Sequence, residues 1–124
     1  MFAVDTITGV TDNTENVVLV EQRDRILVIT INRPEVLNAT NDRLHWELTQ
    51  VWLTLDADDD ARVAVVTGAG RAFSAGGDLN MVEANARDPK RLARTVKEAS
   101  DIVYNMINLE KPVVSAINGV AVGA

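Results

Sequence analysis

The 124-residue chain contains no cysteine, which excludes disulfide bonds, thiolate nucleophiles and cysteine-held metals. Histidine occurs once, at His45. Basic residues are the minority, with 12 Lys and Arg against 18 Asp and Glu for a net charge of −6. Nucleic-acid binders need a cationic surface to displace counterions from phosphates, so that class is excluded. Anionic membrane surfaces are disfavoured on the same ground. No apolar run approaches the ~20 residues of a membrane span, and the opening residues lack the basic start and apolar stretch of a secretory leader. A soluble cytoplasmic protein is the expectation. Only three prolines are present, at positions 34, 89 and 112, and each falls where one element gives way to another.

What is present is enough for one domain, since 47% of the residues are apolar. Residues 1–16 are rich in Thr, Asp and Asn without a period and read as a loose extension; residues 17–124 form the domain. Val17 to Glu21 and Ile26 to Ile31 are β-branched runs split by a polar stretch, the pattern of a hairpin. Pro34 closes the second strand by pushing Arg33 out of helical space. Leu44, Leu48, Val51 and Leu55 recur at helical spacing over 41–56, with Trp52 widening the stripe. Val63 to Thr67 and Val113 to Ile117 are short continuous apolar runs of the kind buried on both faces. Between them, Pro89 opens a helix to about Leu109, with Leu92, Val96, Ala99, Val103 and Ile107 as its apolar stripe. Strands alternating with helices indicate an α/β layered fold. The chain stops at Val122-Gly123-Ala124 without the polar tail usual at a domain end, so the expectation is a polypeptide cut short there.

The densest chemical signal is the segment 68–79, with four glycines in the eleven residues from Gly68 to Asp78. It follows a buried-type strand and is read as an irregular loop. Ala75, Gly76 and Gly77 let a ligand approach the backbone, and outward-pointing amides suit an oxyanion developing on a carbonyl. Asp78 suits the N-cap of the following helix-compatible stretch. A dinucleotide fingerprint would need glycine at position 73, which is Phe, and a P-loop would need a lysine, which the loop lacks. The segment Asn118 to Ala124 is a second small-residue turn after a strand, and two loops that each supply an amide make an oxyanion hole. The third signal, Asn32 to Ala39, is by itself a turn and helix entry. Arg33 within it could meet a phosphate, though a surface arginine is the commoner fact.

Ile31-Asn32-Arg33-Pro34 with Leu37-Asn38-Ala39, then Thr67 to Leu79, then Lys111 to Ala124 together resemble the crotonase superfamily, the enoyl-CoA hydratase/isomerase family. The resemblance spans nearly all of Val17 to Ala124. It implies a spiral of ββα turns, of which this chain carries the N-terminal portion, and assembly as a homotrimer or a dimer of trimers. It implies an acyl-CoA substrate with no separate cofactor or metal. The thioester oxygen would sit between the amides of Gly77 and Ala124, and the carbonyl of Ala75 would receive the adenine amino group. Backbone around Val36 and Leu37 would line the coenzyme, and Gly76, Asp78 and Leu79 would complete the substrate-binding stretch. In hydratases of the family the acid/base carboxylates lie beyond the second amide, so no residue here is assigned their role.

Other residues receive blander readings. His45 falls one position off the helical stripe and reads as partly exposed. Asp56 to Asp60 lacks the glycine and glutamate of a calcium loop, having Ala61 and Thr67 in those places. Glu83 reads as a surface residue, Trp52 as core and Trp46 as a candidate subunit contact. Ser74 has no His or Asp at triad spacing. A second function class stays open, a non-catalytic acyl-CoA-binding or assembly module. Isomerisation, dehalogenation, thioester hydrolysis and carbon–carbon cleavage are not separated by these residues.

Overall fold

The computed structural model describes residues 2–3 and 16–123. Strand β1 (Phe2–Ala3) lies on the sheet edge against β2 (Val18–Arg23), which pairs antiparallel with β3 (Ile26–Ile31). The remainder of the 1–15 stretch lies outside the described residues. Asp24 sits in the two-residue hairpin turn at φ 53°, a left-handed conformation that aspartate tolerates. From β3 the chain passes a short 3₁₀ turn (Pro34–Val36) into helix α1 (Asp42–Ala57) and returns as β4 (Val63–Gly68), parallel to β3. A short strand β5 (Ala72–Ser74) then leads to helices α2 (Leu79–Arg87) and α3 (Pro89–Ile107). The chain re-enters the main sheet as β6 (Val113–Ser115), parallel to β4, and β7 (Val120–Ala121) pairs with β5 in a second, two-stranded sheet. The main sheet has the order β1-β2-β3-β4-β6. This is a mixed α/β architecture, as the alternation of patterns anticipates.

One side of the main sheet carries the core. Val18, Val20, Leu27, Ile29, Ile31, Ala64 and Val66 alternate inward against Leu44, Val51, Trp52 and Leu55 of α1. Asn41 caps α1 by accepting from the Leu44 amide at 2.9 Å, and Lys111 Nζ closes its other end by donating to the carbonyls of Leu55, Asp56 and Asp58. Asp58 Oδ1 accepts from the amides of Asp60 and Ala61, so the acidic run is a solvated turn.

Several expectations are corrected. The 113–117 segment is not buried on both faces: Val114 and Ile117 are 53% and 60% exposed. The strand β4 alternates between buried and half-buried residues, because α1 covers only one face of the sheet. The loop 68–78 contains β5 and is not wholly irregular. The apolar stripe on α3 does not face the body, since Leu92, Val96, Val103 and Ile107 are all exposed. The helix docks on α1 through its polar side instead. Arg91 pairs with Asp42, Glu98 Oε2 lies 3.0 Å from His45 Nδ1, and Asn105 donates to the Thr49 carbonyl at 2.9 Å. Those α3 residues stand seven apart, close to two helical turns, so one ridge presents all three. This ladder buries His45 to 6% exposure, which overturns its reading as partly exposed. Among the described residues nothing covers the opposite, apolar stripe.

A buried carboxylate ties α1 to the hairpin. Glu47, 3% exposed, accepts from the Val18 amide at 3.0 Å and from Arg43 Nε at 2.8 Å. Glu47→Ala leaves the Val18 amide without its acceptor and should cost about 2 kcal/mol. A lowered urea midpoint with unchanged slope would show it, and an unchanged midpoint would refute it.

Candidate functional site

The segment 33–40 contains two residues in the left-handed region, Leu37 at φ 54° and Asn38 at φ 58°. Asn38 is fully buried, and its side chain takes the place of regular structure. Its Oδ1 accepts from the Arg33 amide at 2.8 Å, and its Nδ2 donates to the carbonyls of Ala69 and Ala72 at 2.9 and 2.8 Å. The Ser74 hydroxyl donates to the Asn38 carbonyl at 3.1 Å and accepts from the Gly76 amide at 3.2 Å. Ser74 is thus a latch between loops.

The same segment then pairs with 75–78 as a short parallel bridge. Ala75 N donates to Leu37 O at 2.9 Å, Thr40 N to Gly76 O at 2.8 Å, and Asp78 N to Thr40 O at 2.9 Å. The two stretches expected to line the coenzyme, 36–37 and 75–79, are therefore side by side. Val36 is partly exposed and Leu79 is 82% exposed. The Gly77 N–H makes no hydrogen bond among the described residues, and neither does the Ala75 carbonyl. The direction of the Gly77 donor follows from covalent geometry. A trans peptide sets its C=O and N–H on opposite sides of one plane. With the Gly76 carbonyl turned toward Thr40, the Gly77 N–H points away from the 33–40 segment.

Gly76 has φ +93°, and a Cβ there would stand 2.8 Å from the Gly123 carbonyl oxygen. Only glycine suits this position. The close approach places the two small-residue segments against each other, reinforced by Val122 N donating to Ser74 O at 2.9 Å. The second expected donor, Ala124, lies outside the described residues. Asn118, read as a turn residue, also brackets the two loops. Its Oδ1 accepts from the Gly68 amide at 3.0 Å, and its Nδ2 donates to the carbonyls of Gly70 and Ala72 at 3.0 and 3.2 Å.

The charged groups nearby are already engaged. Asp78 Oδ1 accepts from the Asn80 amide at 3.0 Å as the N-cap of α2, and its Oδ2 accepts from Arg33 Nη1 at 3.2 Å. Arg33 Nη1 also donates to the Ala39 carbonyl. Both side chains are largely buried, at 14% and 15% exposure. Arg33 is therefore an internal clamp, not a surface arginine. Glu83 is exposed and pairs with Arg87 one turn on, at 2.8 Å. Residues 38, 40 and 118 escaped the sequence reading as site builders. For Asn38 and Asn118 the available signal was a short polar side chain within a turn, a type suited to satisfying nearby backbone groups; Thr40 acts through its backbone and gave none.

Comparison with known proteins gives a consistent result. The sequence profile described as enoyl-CoA hydratase/isomerase matches residues 21–124. A 1,2-epoxyphenylacetyl-CoA isomerase of Escherichia coli K12 is 40% identical over 101 residues, covering 80% of this chain and 38% of its own length. A probable peroxisomal enoyl-CoA hydratase of Arabidopsis thaliana is 35% identical over 115 residues, covering 89% of this chain and 40% of its own. Among solved structures, an enoyl-CoA hydratase/isomerase from Mycobacterium paratuberculosis superposes with a TM-score of 0.81 at 41% identity, covering 87% of this chain and 43% of that one. The chain thus spans about two fifths of the length of these relatives. The profile, the fold and the pairing of the two glycine-bearing segments agree: the chain belongs to the enoyl-CoA hydratase/isomerase family.

Proposed function

We propose that the protein binds an acyl-CoA thioester and polarises its carbonyl through the amides of Gly77 and Ala124, hydrating or isomerising an enoyl group. The observation that carries this reading is the Gly77 N–H, which the fold aims away from its own support and leaves without an acceptor among the described residues. The N–H of this half-buried residue is an unmet donor among the described residues. It becomes useful when charge develops on a carbonyl oxygen, as in a thioester enolate. The unpaired Ala75 carbonyl is a ready acceptor for the adenine amino group, and Val36 and Leu37, beside it through the Ala75–Leu37 bond, supply an adjoining wall. Gly76, Asp78 and Leu79 complete the proposed substrate-binding stretch. The named activities of the relatives support the same substrate class. Coenzyme A enters as part of the substrate, with no further cofactor. A homotrimer or dimer of trimers in the cytoplasm completes the proposal on the family resemblance.

A specific observation keeps a second reading in view. Asp78, the carboxylate adjoining Gly77, is committed to Arg33 and to the α2 cap. Proton transfer therefore calls on a carboxylate elsewhere in the protein. Without one, the same cradle is an acyl-CoA-binding module. Turnover of a short enoyl-CoA by the intact protein favours the enzyme, and thioester binding without turnover favours the module.

Two substitutions at one position test the role of the amide. Gly77→Pro deletes a donor that the described fold does not use, so the protein should remain folded while kcat falls by about 10²–10³. Gly77→Ala keeps the donor, and its Cβ would meet only a Val82 methyl at 3.3 Å, on a half-exposed side chain that has room to shift by a few tenths of an ångström. It should retain most of the activity. Comparable turnover in the two variants would refute the assignment.

A further inference from the structure

The aim of the Gly77 amide depends on where Thr40 sits, because Thr40 bonds to Gly76 on one side and to Asp78 on the other. Neither Thr40 nor Gly76 belongs to a long helix or strand that would hold it by cooperative pairing; their contact is an isolated bridge. An isolated bridge has little intrinsic stability, so something else has to fix its two strands. The Arg33 guanidinium does so from one buried point. It donates to the Ala39 carbonyl, immediately before Thr40, and to the Asp78 carboxylate, immediately after Gly77. Its own backbone is held in place, with the Arg33 amide on Asn38 Oδ1 and the Arg33 carbonyl accepting from Val36 and Asn38. A charge removed from water stays only where it is paired and hydrogen-bonded. At 14% and 15% exposure, the Arg33–Asp78 pair meets that condition.

We propose that Arg33 is a positioning residue for the Gly77 donor. It clamps both sides of the Thr40–Gly77 bridge, so that the amide meets the thioester oxygen at the productive angle. The inference rests on the oxyanion reading given above, but it concerns a residue that touches neither the acyl group nor the reacting atoms. Misplacing a catalytic group by about 1 Å can cost 10²-fold in rate. Such an effect falls on kcat, because donation to the oxygen strengthens as charge develops in the transition state.

The test is steady-state kinetics of the intact protein carrying Arg33→Met and Arg33→Lys, with folding followed by circular dichroism. Arg33→Met should lower kcat by about 10- to 100-fold with KM within about threefold. Added guanidinium should restore part of the loss. Arg33→Lys, whose ammonium can still reach the carboxylate, should recover much of kcat. A second readout needs no turnover: the amides of Thr40 and Asp78 should exchange with solvent about tenfold faster in Arg33→Met and close to the unsubstituted rate in Arg33→Lys, with those of α1 unchanged. If Arg33→Met does not fold, Arg33→Gln, which keeps a donor for the Ala39 carbonyl but carries no charge for Asp78, takes its place in both readouts. Unchanged kcat per folded molecule, or unchanged exchange at Thr40 and Asp78, in the uncharged variant overturns the proposal. A loss that appears only as reduced folded fraction overturns it as well, in favour of a purely structural pair. These outcomes are separate from the oxyanion reading, which fails if Gly77→Pro is as active as Gly77→Ala, whatever the Arg33 variants do.

Discussion

The peptide between Gly76 and Gly77 is planar and trans, so the direction of its carbonyl dictates the direction of its N–H. That constraint organises the site. Thr40 takes the Gly76 carbonyl at 2.8 Å, and the next amide turns outward without a partner among the described residues. The left-handed turn at Leu37 and Asn38 delivers Thr40 to this contact, and the left-handed Gly76 keeps the backbone thin enough for Gly123 to approach. Each backbone requirement follows from the need to bring two loops together with one amide left facing out.

The scaffold around the loops is built from short polar side chains standing in for secondary structure. Asn38 and Asn118 converge on the Ala72 carbonyl, one from each flanking segment. Buried backbone carbonyls need donors, and an asparagine amide can serve two acceptors at once. The sheet contributes at longer range. The strands β3, β4 and β6 run parallel in adjacent positions, so the segments that follow them emerge at the same, carboxyl end of the strands. This is where crevices form in parallel α/β architectures.

The elements legible in the sequence are those governed by local rules. The hairpin, α1, β4 and the Pro89 start of α3 follow from β-branched runs and helical periodicity, and the Asp78 cap of α2 follows from capping chemistry. The loops were legible as chemical signals, because closely spaced small residues are unusual, and the two small-residue segments together with the Asn32–Ala39 turn, in that order, are specific to the family. Long-range pairing was not legible. The pairing of Ala72–Ser74 with Val120–Ala121 depends on contacts between segments almost fifty residues apart, and neither is long enough to carry a strand pattern. The face that α3 turns inward was also hidden. Periodicity located its apolar stripe, but Arg91, Glu98 and Asn105 find partners on α1 that only the folded arrangement supplies. Arg33 escaped for the same reason, since its role depends on Asp78, forty-five residues away.

The central claim is that the fold reserves the Gly77 amide for a ligand oxygen, and nuclear magnetic resonance of that amide in the intact protein tests it most directly. The ¹H resonance is followed as a non-reactive acyl-CoA thioester is added, with coenzyme A lacking the acyl group as the control. The account predicts a downfield shift of the Gly77 proton with the thioester, larger than that of its neighbours, and little change with coenzyme A alone. A Gly77 proton that stays in place with the thioester, or moves equally with both ligands, would contradict it.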